Sequence, residues 1–289
     1  MKQQNALNWL IPLLGIISVI AFGTGLFSHT AGQPFPFTTL HGQTVEIYGQ
    51  GLYQYDTSFK APILRGADAV YLFLCLPLLG LAFILYRRGS LRGGIFLTGM
   101  LAVFLYNFVS LAFGAAYNNM FLAYLVGFSA SLFALILVFT SIDIDALAAR
   151  ISPHLPRRGM AVFIALAGTS VFVWLIEIVG SLISGHAPES LASYTTDVTA
   201  VIDVGLITPL AWLTCVLLFR RAPLGFLLAP VLLILNASIG VIVISQTIAQ
   251  ALAGITLSAG QYIGFVGSFV ILSLIALWFT VQYFRNIKN

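Results

Sequence analysis

Long apolar runs alternate with short polar breaks along the whole chain, and the length of those runs decides the fold class. An α-helix rises about 1.5 Å per residue, so crossing the hydrocarbon core of a bilayer takes roughly 20 apolar residues. Runs of that size predict spans over residues 8–27, 67–86, 95–116, 120–142, 160–184, 199–219, 226–252 and 261–284. The third and fourth are separated only by Tyr117-Asn118-Asn119. A single unbroken helix there would overshoot any bilayer, so the polar triplet predicts a hairpin. The expected fold is all-α, a polytopic transmembrane helical bundle of about eight spans forming one domain over 1–289. Pro77, Pro209 and Pro230 lie within spans and predict kinks, each freeing a carbonyl that a neighbour must satisfy.

The first run follows Lys2 in the manner of a signal peptide, but Trp9 to Phe27 is longer than a typical signal core. Ser28-His29-Thr30-Ala31-Gly32 makes no convincing small-x-small cleavage site, so this run is read as a retained span. The longest connection is residues 28–66. Its prolines, Pro34 and Pro36, stop the first helix. Thr38 to Tyr48 then reads as two short strands around a glycine turn at Gly42. A long ordered loop is often a lid or binding element, and otherwise caps helix ends.

Composition agrees with the pattern. Hydrophobic residues make up 60% of the chain and charged residues 8%, against roughly 25% charged in soluble domains. The net charge of +4 is no nucleic-acid signal, because the Lys and Arg are sorted by side. With the N-terminus inside, the inner face receives Lys2, Arg87, Arg88, Arg92, Arg150, Arg157, Arg158, Arg220, Arg221, Arg285 and Lys288, leaving only Lys60 and Arg65 outside. Positive residues stay on the cytoplasmic side, so both termini are expected in the cytoplasm and the 28–66 loop outside. Cys75 and Cys215 sit in apolar runs with neither metal nor CxxC spacing, and read as small buried residues.

Glu46-Ile47-Tyr48-Gly49-Gln50-Gly51-Leu52-Tyr53-Gln54-Tyr55-Asp56, followed by Arg65-Gly66-Ala67-Asp68 and by Phe113-Gly114-Ala115-Ala116-Tyr117-Asn118, resembles a family of uncharacterised bacterial multi-pass inner-membrane proteins. The resemblance covers roughly the first half of the chain. It implies a bacterial origin and a polytopic fold, and brings no activity and no catalytic residues with it.

A four-plus-four parallel repeat is a further reading, with its axis along the membrane normal. The second and sixth spans both run into an arginine pair, Arg87-Arg88 and Arg220-Arg221, and the helices that follow carry Asn107 and Asn236. Gly127/Gly267, Leu132/Leu272, Phe139/Phe279 and Thr140/Thr280 recur at one offset in the fourth and eighth spans.

Ionisable groups inside apolar helices are costly and therefore mark candidate chemistry. Glu177 falls about seven residues, or roughly 10 Å, inside the outer end of the fifth span. It is the first candidate for binding a cation or exchanging a proton, with Asp203, one turn into the sixth span, as its expected neighbour. Asp197 reads as a helix cap. Asp68 reads as a first-turn acid opening the second span after Gly66, with Arg65 as ion-pair partner for Asp68 or Asp56. Tyr117, Asn118 and Tyr194 complete the substrate- or ion-binding candidates, and Tyr48, Tyr53, Tyr55, Asp56 and Arg65 are the loop candidates. Gln246 and Gln250 share a helix face and are candidates to line an aqueous cavity.

No HxxxH, HExxH, GxSxG, P-loop or dinucleotide fingerprint occurs, so no metal and no cofactor is expected and catalysis is the less favoured class. Three functions stay open. The favoured one is a transporter- or permease-like protein with an outward cavity lined by Glu177, Asp203, Tyr117, Asn118 and Tyr194, taking a small molecule or ion. The second is an enzyme acting on a lipid or isoprenoid, which needs two polar groups converging on one atom. The third is an accessory protein that docks a membrane-protein partner through the 28–66 loop.

Overall fold

The computed structural model describes residues 2–288. Among the described residues, eight helices are long and apolar enough to cross a membrane: span 1 Asn5–Phe27, span 2 Lys60–Arg87, span 3 Leu91–Gly114, span 4 Phe121–Ser141, span 5 Arg157–Ser184, span 6 Val198–Phe219, span 7 Pro223–Leu252 and span 8 Ala259–Arg285. The chain is an all-α, eight-span, multi-pass membrane protein. Spans 3 and 7 are the most enclosed and cross at the centre, where Gly99 lies directly against Ile234.

Each half has its own core. Around spans 1 to 4, Phe22 stacks on Phe108 at 5.2 Å and meets Tyr71 at 5.4 Å, while Tyr71 stands edge-on to Phe104 at 5.6 Å. Such tilted and edge contacts add attraction beyond area burial. The Tyr71 hydroxyl is satisfied by donating to the Val103 carbonyl at 3.1 Å. Around spans 5 to 8, Phe163 meets Phe279 at 5.4 Å, and the buried Tyr283 donates to the Phe226 carbonyl.

The halves are built alike where span 2 turns into span 3 and span 6 into span 7. Span 2 has a π-helical turn at Tyr71–Cys75 just before Pro77, and span 6 has one at Asp203–Ile207 just before Pro209. A proline removes the hydrogen bond to the carbonyl four residues back, and widening that turn absorbs the loss. Both helices then end in the same cap. Gly89 and Arg221 adopt left-handed backbone (φ 76° and 57°). Ser90 N–H reaches the Leu85 carbonyl at 3.2 Å, and Ala222 N–H reaches Leu217 at 2.9 Å, the closing bond of a Schellman motif. Gly93 packs on Leu85 as Gly225 packs on Leu217. These counterparts lie 132 residues apart (89 to 221, 85 to 217, 93 to 225).

The glycine pair expected to match in spans 4 and 8 does not play one role. Gly127 admits the Phe108 ring, whereas Gly267 ends a π-helical turn, Tyr262–Gly267. Pro230 sits inside the continuous helix Pro223–Leu252.

Two strands, β1 (Phe35–Thr38) and β2 (Thr44–Ile47), form the antiparallel hairpin, with Phe35 opposite Ile47 and Thr38 opposite Thr44. The first strand begins earlier than expected, because Pro36 is tolerated on an unpartnered edge. The connection ends earlier too. The span 2 helix starts at Lys60, so Arg65 and Asp68 lie within a helix and not in a loop or at a helix start. On the opposite face of the bundle, Arg157 donates to the Leu218 and Phe219 carbonyls at the end of span 6, capping a helix terminus, and Arg92 donates to the Ile287 carbonyl just beyond span 8.

Candidate functional site

Span 5 bends at Val171–Phe172 and resumes as Val173–Ser184, ending at Gly185. Its last turns stand apart from the start of span 6 and leave a cleft of about 520 Å³ on the face that carries the hairpin. Trp174, Glu177 and Ile178 line it from span 5, Ser190 from the connecting segment, Asp197 from the N-cap of span 6 and Val201 from span 6 itself. Glu177 Oε1 accepts the Ser190 N–H at 2.9 Å, which folds the connecting segment over the carboxylate. Asp197 Oδ1 accepts the Ala200 N–H at 3.1 Å, the expected capping bond, and the same side chain borders the cleft. The hairpin lies near the rim, since Gln43 donates to the Ala187 carbonyl at 3.4 Å.

Asp203 is not in this cleft. It is buried behind Trp174, with Oδ2 accepting the indole N–H at 3.3 Å and Oδ1 accepting the Tyr106 hydroxyl at 3.0 Å. It holds the wall in place. The Thr208 hydroxyl, donating to the Gly168 carbonyl at 2.6 Å, ties spans 5 and 6 just below.

The remaining candidates form two buried knots under the loop. In the first, Asp56 is fully buried, and its Oδ1 accepts the Tyr194 hydroxyl at 2.8 Å and the Ala116 N–H at 2.9 Å. Lys60 Nζ lies 3.7 Å from the Tyr194 ring centroid and donates to the Gly114 carbonyl at 2.7 Å. Burial pushes the Asp56 carboxyl up to about 6, against the lowering effect of the Ala116 and Tyr194 hydrogen bonds and of nearby Lys60. The Tyr194 hydroxyl is also pushed up, first by burial and then by Asp56.

In the second knot, the buried Asp68 accepts the Tyr53 hydroxyl at 2.7 Å on Oδ2, while its Oδ1 has no hydrogen-bond partner among the described residues and the Tyr124 hydroxyl lies close to both side chains. Burial pushes the Tyr53 hydroxyl well up, helped by Asp68. Arg65 pairs with neither acid by contact. It donates to the Tyr48 hydroxyl and the Leu26 carbonyl, each at 3.1 Å, and so fastens the loop to the end of span 1.

The expected five-residue cavity is therefore corrected. Of Glu177, Asp203, Tyr117, Asn118 and Tyr194, only Glu177 borders the cleft. Tyr117 is exposed beside Phe121, Tyr55 is exposed, and Asn118 is spent within its own turn, accepting the Met120 N–H at 2.9 Å. Gln246 packs against the Gly66 backbone and Gln250 donates to the Phe59 carbonyl at 3.4 Å, so the pair holds span 7 to span 2 and neither borders the cleft. Trp174, Ser190, Lys60, Tyr106 and Tyr124 escaped the sequence reading. An apolar helix carrying a Trp three residues before its only acid was the one available hint, since i and i+3 share a face.

Among the described residues, no three His, Cys, Asp or Glu side chains come together as a metal site. No protein-family model, curated protein or solved structure matches the chain. What it does must be read from its own geometry.

Proposed function

We propose a transporter- or permease-like protein of a bacterial inner membrane, with both termini cytoplasmic and its substrate site opening outward. The cleft between spans 5 and 6 carries this reading. A carboxylate within an apolar helix faces a roomy, accessible space instead of a neighbouring helix. Its volume falls in the range of small-molecule sites, roughly 300–1,000 Å³. The sorting of eleven of thirteen basic residues to the opposite face supports the orientation. The matching π-helical turns before Pro77 and Pro209 agree with the two-repeat construction known in transporters.

The enzymatic reading loses support, because Asp203 already spends both oxygens on Tyr106 and Trp174 and does not converge with Glu177. The test is uptake or efflux of a panel of labelled small cations, zwitterions and anions in proteoliposomes. Wild type is expected to move at least one of them, and Glu177→Gln to slow that flux about tenfold. Equal flux through both proteins would take Glu177 out of the mechanism, and no flux at all would remove the reading.

A partner-docking role draws on one observation. Leu40 at the hairpin tip is fully exposed, and Phe35 and Phe37, on one face of β1, are also exposed. Replacing the three with Ser leaves the buried knots intact, and loss of a co-purifying membrane protein in that variant alone would support docking.

A further inference from the structure

We infer that the cleft between spans 5 and 6 takes an organic cation with an apolar body, a specification of ligand class that rests on the transporter-like reading of the same cleft.

Three features of the lining converge on that class. The first is charge. Glu177 and Asp197 both border the space and no Lys, Arg or His does. Each carboxylate has one oxygen committed to a main-chain N–H, Ser190 for Glu177 and Ala200 for Asp197, and neither second oxygen has a hydrogen-bond partner among the described residues. Those two oxygens are available to a ligand. An anion would meet two like charges, and a neutral molecule would leave both without a counterpart.

The second feature is the aromatic wall. Trp174 borders the cleft, and its indole N–H is held by Asp203 from behind. Tryptophan offers the best ring face for a cation, and a carboxylate on the N–H makes that ring more electron-rich while fixing its plane. Asp203 thus acts as a positioning residue for the wall. The third feature is the apolar remainder, including Leu175, Ile178, Val201 and Val204, which suits hydrocarbon and rejects a small, strongly hydrated ion.

The two acids are unequal. Lys60 lies near enough to attract Asp197, although its ammonium is hydrogen-bonded to the Gly114 carbonyl and rests on Tyr194. Glu177 is therefore the stronger anchor.

The test is equilibrium binding of labelled tetraphenylphosphonium to the full-length protein in zwitterionic-lipid nanodiscs, with protein-free discs as background. Saturable binding is expected, competed by unlabelled tetraphenylphosphonium but not by neutral triphenylphosphine oxide. Glu177→Gln should weaken binding about tenfold, the scale of one lost charge-assisted contact. Asp197→Asn should weaken it less, and Trp174→Leu by a further several-fold. No saturable binding to wild type, equal competition by the neutral analogue, or unchanged binding in a monodisperse Glu177→Gln protein would each overturn the inference. The competition arm uses wild type alone and decides the matter should the variants not fold. Cation binding without any solute flux would count against the transport reading only. Glu177-dependent flux of a neutral or anionic solute without cation binding would count against the cation class only.

Discussion

Tyr194 and Asp56, 138 residues apart in the chain, share a 2.8 Å hydrogen bond that pins the connection between spans 5 and 6 to the end of the long loop. The Thr57 N–H, 3.3 Å from the same hydroxyl, closes the junction. One phenol thus adds a polar tie between the halves to the packing of span 7 on spans 2 and 3. Tyr194→Phe keeps the ring under Lys60 but takes a donor from a fully buried carboxylate. Leaving such a group less satisfied costs about 1–3 kcal/mol. The expected result is a lower melting temperature in nanodiscs, with the helical content at low temperature unchanged. An unshifted melting temperature would mean that the junction is not under load.

The same carboxyl makes stability depend on pH. Asp56 titrates near 3.8 when exposed and at about 6 in the fold, because burial disfavours its charge. A raised folded value means the folded state holds the proton more tightly, so the group's contribution is complete below about pH 3.8 and is lost as pH rises through about 6. The melting temperature of wild type minus that of Asp56→Asn should therefore fall between pH 4 and pH 7. A difference that is flat, or that rises with pH, would contradict this placement of Asp56.

How much of this was legible in the sequence follows from what each feature depends on. Spans need only enough apolar length, and that is a local property, so all eight were readable. The Asn118 turn was readable for the same reason. The start of span 2 was not. Lys60-Ala61-Pro62-Ile63-Leu64-Arg65-Gly66 looks like loop, and it is helical because Lys60 is anchored on Gly114 and Arg65 on Tyr48 and Leu26. That shift moved Asp68 from an ordinary cap to a buried partner of Tyr53. Asp203 failed in the opposite direction, as an intramembrane acid whose two bonds lead to Tyr106 and Trp174, 97 and 29 residues away. Only tertiary structure supplies such partners.

Tyr53→Phe extends the argument to the second knot. Asp68 would then keep no hydrogen-bond donor at either oxygen, since Oδ1 already lacks one. A loss of about 1–3 kcal/mol is expected, and Asp68→Asn should partly restore stability in the Tyr53→Phe background by removing the ionisable group. Thermal unfolding of the two single variants and the double variant measures the coupling. Simple additivity of the two changes would show that Tyr53 and Asp68 do not act on each other.

Close approach of helices gives a third kind of prediction. A methyl group on Gly66 would sit 2.5 Å from the Gln246 Cα, and the Gly66 carbonyl already accepts the Ser245 hydroxyl at 2.7 Å. Backbone cannot yield as a flexible side chain does, so Gly66→Ala must push spans 2 and 7 apart, at a cost of about 1–3 kcal/mol. Gly80, in the same span, has nothing within 4 Å of the equivalent point. Gly80→Ala is the matched control and should be neutral or slightly stabilising. Equal effects of the two changes on unfolding would show that the crossing is looser than drawn.

The recurring helix ends make the last prediction run the other way, toward a gain. Gly89 and Arg221 hold the same left-handed position after spans 2 and 6, and each passes its chain directly into the next helix. Glycine takes that conformation freely, whereas an L side chain meets the carbonyl that follows it, a strain of about 1–2 kcal/mol. Among the described residues the Arg221 side chain has no hydrogen-bond or ion-pair partner in compensation, and its charge is one of several on that face. Arg221→Gly should therefore stabilise the protein by about 1 kcal/mol, less the extra freedom glycine has when unfolded. Gly89→Arg, its mirror, should destabilise by a similar amount. Opposite shifts in melting temperature from the two changes would establish that both halves end their second helix with one device. A loss of stability in Arg221→Gly would mean that the arginine is retained for a contact that outweighs its strain.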